Sequence, residues 1–223
     1  MNGIINLDKP PAMSSARAVA KAKRLLLRNT KIGHAGTLDP FATGVLLLLI
    51  GRATKMCERL MDQPKGYETA IKFGATTATF DPETEEIPWP DAQPVSRDAV
   101  EAVIRRFVGE IQQTPPAYSA MKFGGRRAYD LARKGHDVQL QPRTVRIYGI
   151  EICEYDWPLL RLRIECGRGA YVRALARDIG EALNVGGYLR ELRRTHVGEF
   201  RVKDAVSLDQ LIADGVEKHL RAI

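Results

Sequence analysis

The sequence has few cysteines, no long apolar run and no metal-binding motif. Its three cysteines, Cys57, Cys153 and Cys166, are far apart and form no Cys-x-x-Cys pair, so no disulfide framework is predicted. No spacing of Cys, His, Asp or Glu is typical of metal ligands, and we expect neither a metal nor a cofactor. The longest apolar run, residues 45–50, is too short to cross a membrane. Without a signal-peptide pattern at the start, the sequence predicts a cytoplasmic protein.

Positive charge is present in excess and is unevenly distributed. Lys and Arg number 34 against 27 Asp and Glu, a formal net charge of +7, which suits a polyanionic partner such as a nucleic acid. Residues 1–57 contain nine Lys or Arg and only two acids, Asp8 and Asp39, which predicts one basic face. Residues 81–101 contain seven acids and four prolines, which is typical of a solvated loop that faces away from a polyanion.

Hydrophobic periodicity predicts strands and helices in an irregular order. The predicted strands are residues 3–7, 45–50, 67–73, 145–154, 159–166 and 195–202. The predicted helices are residues 15–28, 52–62, about 96–108, 171–183 and 188–194. Ser14 or Ser15, Ser96 and a capping box at Ser207 predict helix starts. Because the elements do not alternate as in a parallel doubly wound fold, we predict the α+β class.

The run His34-Ala35-Gly36-Thr37-Leu38-Asp39-Pro40 is ambiguous when it is considered alone. Asp39-Pro40 resembles a helix start, with an acidic cap before a proline at the first helical position. The glycines nearby fit ordinary turns and match neither a P-loop nor a dinucleotide-binding fingerprint. A lone histidine such as His34 is more often structural than catalytic.

The longer stretch Gly33-His34-Ala35-Gly36-Thr37-Leu38-Asp39-Pro40-Phe41-Ala42-Thr43-Gly44-Val45-Leu46 resembles the catalytic segment of the TruB family of tRNA pseudouridine synthases. The resemblance extends in order over residues 3–202. The other segments that carry it are Gly3-Ile4-Ile5-Asn6-Leu7-Asp8-Lys9-Pro10, Met13-Ser14-Ser15, Gly51-Arg52-Ala53-Thr54-Lys55, Lys65-Gly66-Tyr67, Pro115-Pro116-Ala117-Tyr118-Ser119-Ala120-Met121-Lys122, Gly169-Ala170-Tyr171-Val172-Arg173 and Leu192-Arg193-Arg194.

The resemblance implies an enzyme that isomerises uridine to pseudouridine in tRNA, at position 55 of the T-loop, after the base has been flipped out. It implies the pseudouridine synthase fold, with a mixed, mostly antiparallel sheet flanked by helices. A basic RNA-binding insertion is expected at about residues 115–146. We expect a monomer that needs no guide RNA. We also expect one catalytic domain over residues 1–223, without the separate C-terminal RNA-binding module of longer bacterial members.

The resemblance also implies the residues of the site. Asp39 is the implied nucleophile or base, Arg173 its cationic partner, and Tyr67 the ring beneath the flipped base. Residues with an implied role in RNA binding are His34, Lys55, Asp81, Lys122, Arg126, Arg127 and Leu192. Each of three residues also has an interpretation without a functional role. Arg173 can be an exposed arginine on an amphipathic helix, Tyr67 can only pack in the core, and Asp81 can be only structural. A covalent adduct with Asp39 and a glycal intermediate both stay open.

Three rival functions remain at this point. One is a non-catalytic RNA-binding or tRNA-folding protein, which would need only the basic face and the aromatic residues. The set of Asp39, Tyr67 and Arg173 argues against it. Another is a synthase that acts on a different RNA. The third is a glycoside or nucleoside hydrolase, for which no second carboxylate occurs in a comparable motif.

Overall fold

The computed structural model describes residues 1–119, 121–123, 126–127 and 140–223. The chain folds into two compact units. The first unit contains Met1–Tyr67 and Leu192–Ile223, and the second contains Glu68–Glu191. Among the helices in the described part of the chain, none is long and apolar enough to span a membrane.

Strands and helices follow each other in an irregular order. The strands are β1 (Gly3–Lys9), β2 (Ile32–Ala35), β3 (Thr43–Ile50), β4 (Lys65–Phe73), β5 (Ala75–Thr77), β6 (Glu86–Pro88), β7 (Gly109–Gln113), β8 (Lys122–Phe123), β9 (Arg126–Arg127), β10 (Arg143–Asp156), β11 (Leu159–Cys166), β12 (Gly187–Val197), β13 (Phe200–Arg201), β14 (Val206–Ser207) and β15 (Arg221–Ala222). The α-helices are α1 (Ser15–Lys23), α2 (Cys57–Met61), α3 (Arg97–Arg105), α4 (Val172–Ala182), α5 (Leu208–Asp214) and α6 (Val216–His219). In the described part of the chain, 3₁₀ helices cover Gly51–Met56 and Val202–Asp204.

The first unit is built on strands in the order β14-β1-β3-β12. β1 and β3 are antiparallel, with Gly3 opposite Ile50 and Lys9 opposite Gly44. β3 and β12 are parallel. Every residue of β3 after Thr43 is buried, which explains why this strand is a continuous apolar run.

The second unit is built on strands in the order β4-β11-β10-β7. β10 pairs antiparallel with both β11 and β7, and α3 packs against β10 and α4. Along β11, Leu160, Leu162 and Ile164 are buried while Arg161 and Arg163 are exposed. The predicted alternation of one buried and one solvated face is therefore confirmed.

The α+β class is confirmed, and several boundaries differ from the prediction. α1 ends at Lys23 instead of residue 28, and the predicted helix over 52–62 begins as a 3₁₀ helix. The predicted helix over 188–194 is wrong, because these residues lie inside β12. Ser14, Ser96 and Ser207 each cap a helix, and Ser207 forms the predicted capping box. Of the basic insertion, residues 120, 124–125 and 128–139 lie outside the described residues.

Candidate active site

Asp39 lies in the connection between β2 and β3, residues 36–42, which we call the Asp39 loop. No helix begins at Asp39, so the local prediction of a helix cap is wrong. Gly36 has φ 91° and Gly44, just after the loop, has φ 101°, which are left-handed conformations that glycine adopts readily. A side chain at Gly44 would also collide with the backbone of Arg194. The path that presents Asp39 therefore depends on these two glycines.

The hydroxyl group of Ser15 fixes the residue that precedes Asp39. Ser15 is the first residue of α1 and is 2% exposed. Its Oγ donates to the Leu38 carbonyl at 2.9 Å and accepts from the Leu38 N–H at 2.8 Å. Both backbone groups of a buried residue are thus satisfied by one side chain. This pair of bonds attaches the N-terminus of α1 to the Asp39 loop.

Two buried cations donate hydrogen bonds to the backbone of the same loop. Lys9 is fully buried, and its Nζ donates to the Pro40 carbonyl at 3.2 Å. Arg194 is 1% exposed, and it donates to the carbonyls of Gly36 at 3.2 Å and Val45 at 2.7 Å. Buried charges need such polar partners. The loop that carries Asp39 is therefore held by buried positive charge.

The sequence alone assigns no role to Lys9 or Arg194, and it offers Ser15 only as a candidate helix cap. Each of the three lies in a segment that carries the family resemblance. Membership of such a segment is the only sign in the sequence that these residues support the site. Their partners are backbone carbonyls and amides far along the chain, and a residue pattern does not reveal such bonds. The structure adds these three residues as supports of the Asp39 loop.

The other predicted residues of the first unit lie in four different elements. Tyr67, in β4, and Leu192, in β12, are each 8% exposed. His34 is half-buried in β2, and Lys55 is exposed in the 3₁₀ helix Gly51–Met56. Burial of Tyr67 and Leu192 fits both packing and a place in a base pocket. The roles of these four residues in RNA binding and stacking stay predictions.

In the second unit, Arg173 is a buried residue in the first turn of α4. It is 4% exposed, so the alternative of a surface arginine is wrong. Its Nη1 lies 3.1 Å from Oδ2 of Asp81, which is 1% exposed. The guanidinium also donates to the carbonyls of Thr79 at 2.9 Å and Tyr118 at 2.8 Å. Asp81 is thus a carboxylate partner of Arg173, and the pairing of Arg173 with Asp39 stays a prediction.

Asp81 is held by more than its ion pair. Its Oδ1 accepts from the Thr79 hydroxyl and from the Glu83 N–H. The Thr77 hydroxyl donates to the Asp81 carbonyl and accepts from the Asp81 N–H. The sequence predicts a solvated acidic loop here, but Asp81 is buried. Its carboxylate can be buried because these donors and the Arg173 guanidinium replace the hydrogen bonds that water would make.

The predicted phosphate contacts of the insertion are described only as backbone. Lys122 lies opposite Arg127, and Phe123 lies opposite Arg126, in the hairpin of β8 and β9. The roles of Lys122, Arg126 and Arg127 in RNA binding stay predictions. Among the described residues, no group of three or more His, Cys, Asp and Glu side chains could hold a metal ion.

Comparison with known proteins gives matches along nearly the whole chain. The family described as TruB family pseudouridylate synthase (N terminal domain) matches residues 23–172. The tRNA pseudouridylate synthase B C-terminal domain matches residues 173–223. A tRNA pseudouridine synthase B of Phocaeicola vulgatus is 44% identical over 92% of this chain and 90% of its own length. Its counterpart from Cupriavidus metallidurans is 45% identical over 97% of this chain and 69% of its own length.

Among solved structures, a chain in the crystal structure of a Cbf5-Nop10-Gar1 complex is similar, with a TM-score of 0.74 and 31% identity. The match covers 97% of this chain and 57% of that one. A second similar chain comes from an H/ACA RNP bound to a substrate RNA that contains 2′-deoxyuridine, with a TM-score of 0.69 and 29% identity. From the family matches and these relatives, we conclude that the chain belongs to the TruB family of pseudouridylate synthases.

Proposed function

We propose that this chain isomerises uridine to pseudouridine in tRNA, with position 55 of the T-loop as its target. The observation that carries the proposal is the Asp39 loop, a family motif whose backbone accepts hydrogen bonds from Lys9, Ser15 and Arg194. A nucleophile needs this kind of rigid support, because its carboxylate must be held at a fixed position relative to one atom of the substrate. The two relatives that are 44% and 45% identical to this chain carry the name tRNA pseudouridine synthase B.

In the proposed reaction, the bond between ribose C1′ and ring N1 breaks, the base turns, and C1′ bonds to ring C5. The proton on C5 is then lost and N1 gains one, so the reaction is an isomerisation without oxidation or reduction. The ionised carboxylate of Asp39 attacks C1′ or removes a proton from the sugar, and either route keeps the two halves together. Tyr67 stacks beneath the flipped base.

Arg173 supplies the positive charge that stabilises ionised Asp39 in this proposal. Asp81 acts through Arg173, because the ion pair and the bonds to two carbonyl oxygens fix the guanidinium in one position. Further contacts to the RNA are proposed for His34, Lys55, Lys122, Arg126, Arg127 and Leu192. We propose that the enzyme works as a monomer in the cytoplasm without guide RNA, with residues 1–223 acting as one catalytic domain.

The test is incubation with an unmodified tRNA transcript, followed by mapping of pseudouridine. Asp39→Asn keeps the shape of the side chain and removes its charge, and we expect kcat to fall at least about a hundredfold. Asp91→Asn is the matched control, because Asp91 is exposed and its φ of 57° is one that Asn also tolerates. The control should retain full activity.

Two of the three rival functions, the hydrolase and the non-catalytic RNA-binding protein, predict a different result in the same assay. Release of free uracil by the unchanged protein would indicate a hydrolase. Binding of tRNA without any product would indicate a folding or binding protein. Product formation at full rate by Asp39→Asn would remove Asp39 from its proposed role.

A further inference from the structure

Helix α1 carries positive charge without any acid to balance it. Between Asp8 and Asp39 the sequence contains no Asp or Glu. The helix has no acid in its first turn and two basic residues in its last. Arg17, Lys21 and Arg24 follow the spacing i, i+4, i+7, which places them along one face of a helix. We call these three residues the α1 basic surface.

The α1 basic surface lies on the solvent side of its helix. Ser15, Ala18 and Ala22 form the buried side of α1. Arg17 and Arg24 are exposed, and Lys21 is half-buried. None of the three residues forms an ion pair with any residue that the structure describes. The charges of this surface are therefore available to a partner.

Helix α3 resembles α1 in length and capping, but its arginines form ion pairs within the helix. Like α1, it has nine residues and begins after a serine cap. Its Arg97 and Arg105 pair with the same carboxylate, Glu101, at 2.9 and 3.6 Å. The basic residues of α3 are thus explained by ion pairs within the helix, and those of α1 are not.

The stability of α1 does not explain its charges either. Lys21 lies near the C-terminal end, where a cation interacts favourably with the helix dipole. Arg17 lies in the first turn, where a cation interacts unfavourably, and Arg17 and Lys21 repel each other at the i, i+4 spacing. The charge of Arg17 is therefore not explained by the stability of the isolated helix.

We propose that the α1 basic surface binds the phosphate backbone of the tRNA substrate. The proposal rests on the proposed function and adds a contact to it. Ser15 connects α1 to the Asp39 loop by two hydrogen bonds to Leu38. A phosphate held on α1 is therefore held at a fixed position relative to Asp39, which helps to place the target uridine.

The test compares two triple variants in tRNA binding and in steady-state kinetics. Arg17→Gln/Lys21→Gln/Arg24→Gln removes the three charges of the α1 basic surface, and Arg97→Gln/Arg105→Gln/Arg106→Gln removes three charges from α3 and its C-cap residue. For the α1 variant we expect KM to rise about tenfold at 150 mM KCl, with kcat unchanged. The slope of log Kd against log salt should fall by about 2, because each phosphate contact contributes about 0.7 to 0.9. The α3 variant should retain the wild-type KM and the wild-type slope of log Kd against log salt.

Equal effects of the two triple variants, or an unchanged salt slope in the α1 variant, would overturn the proposal. Loss of binding to phosphatidylserine vesicles with unchanged tRNA binding would overturn it in favour of a membrane surface. Arg17→Lys/Arg24→Lys keeps the charges and should restore the slope, which separates lost contacts from a misfolded helix.

Wild-type protein that binds tRNA without product would refute the proposed function alone. Wild-type product with an unchanged slope in the α1 variant would refute this inference alone.

Discussion

At the scale of single residues, burial decides which charges matter for stability. Arg173 lies on an amphipathic helix, yet it is 4% exposed and pairs with Asp81. A buried ion pair contributes little net stability compared with apolar packing, because both charges lose their hydration. Removal of one partner is costly, since it leaves the other charge buried and uncompensated.

Asp81→Asn should therefore destabilise the fold strongly. We expect the free energy of unfolding to fall by about 3 to 5 kcal/mol, because the Arg173 guanidinium stays buried without its carboxylate. Urea denaturation at pH 7 measures the change. Asp156→Asn, at an exposed position, is the control and should change stability by less than about 0.5 kcal/mol. A similar small loss in Asp81→Asn would show that the pair is not important for stability.

At the scale of secondary-structure elements, strand pairing overrides local pattern. Residues 188–194 have a helix-like pattern, but Arg193 and Arg194 pair with Thr43 and Gly44 of β3. Neither the parallel partner nor the carbonyls that Arg194 binds can be deduced from the segment itself. By contrast, β11 and the caps of α1, α3 and α5 are determined by nearby residues, and these were predicted correctly.

The start of β3 gives a test of this close strand packing. Gly44→Ala should destabilise the first unit, because φ is 101° there and the new Cβ would meet the Arg194 backbone. We expect the free energy of unfolding to fall by at least about 1 to 3 kcal/mol. Gly33→Ala is the control, since nothing lies within 4 Å of a Cβ at that position. Thermal unfolding of both variants gives the comparison, and equal midpoints would contradict the argument.

Glu86, the first residue of β6, gives a test that depends on pH. The Tyr188 hydroxyl and the Lys72 ammonium both donate to the Glu86 carboxylate. Burial, and then the hydrogen bond to Glu86, raise the pKa of Tyr188 to about 12. The hydrogen bond from Lys72 contributes most to the lowered pKa of Glu86. The proton on Tyr188 is therefore held more tightly in the folded chain than in the unfolded chain, where its pKa is about 10.

A raised pKa contributes stability that is present below pH 10 and is lost as the pH rises towards 12. Tyr188→Phe should cost about 1 kcal/mol at pH 8, from the lost hydrogen bond. The difference between wild type and variant should then shrink between pH 10 and 12. Denaturation by urea across this range measures the trend. Tyr148→Phe, at an exposed residue, is the control for the loss of a tyrosine hydroxyl.

At the scale of the whole molecule, the family and its chemistry were predictable from the sequence, and the supports of the site were not. The Asp39 segment is continuous in the chain, so its pattern is visible in the sequence. Lys9 and Arg194 reach the Asp39 loop across 31 and about 158 residues, and side-chain bonds to distant carbonyls leave no periodic signal. The same limit applies to Asp81, whose partner Arg173 lies far along the chain.

The division of the chain into two units also sets an order for folding during synthesis. The second unit is one continuous segment, Glu68–Glu191, so all of its strands are available once that segment has been made. The first unit combines both ends of the described chain, and Asp8 contacts Arg193 across 185 residues. β1 also pairs with β14 at Leu7 and Val206. The strands next to Asp39 therefore complete their sheet only after Val206 has been synthesised, and Arg194 can support the Asp39 loop only after the second unit has been made.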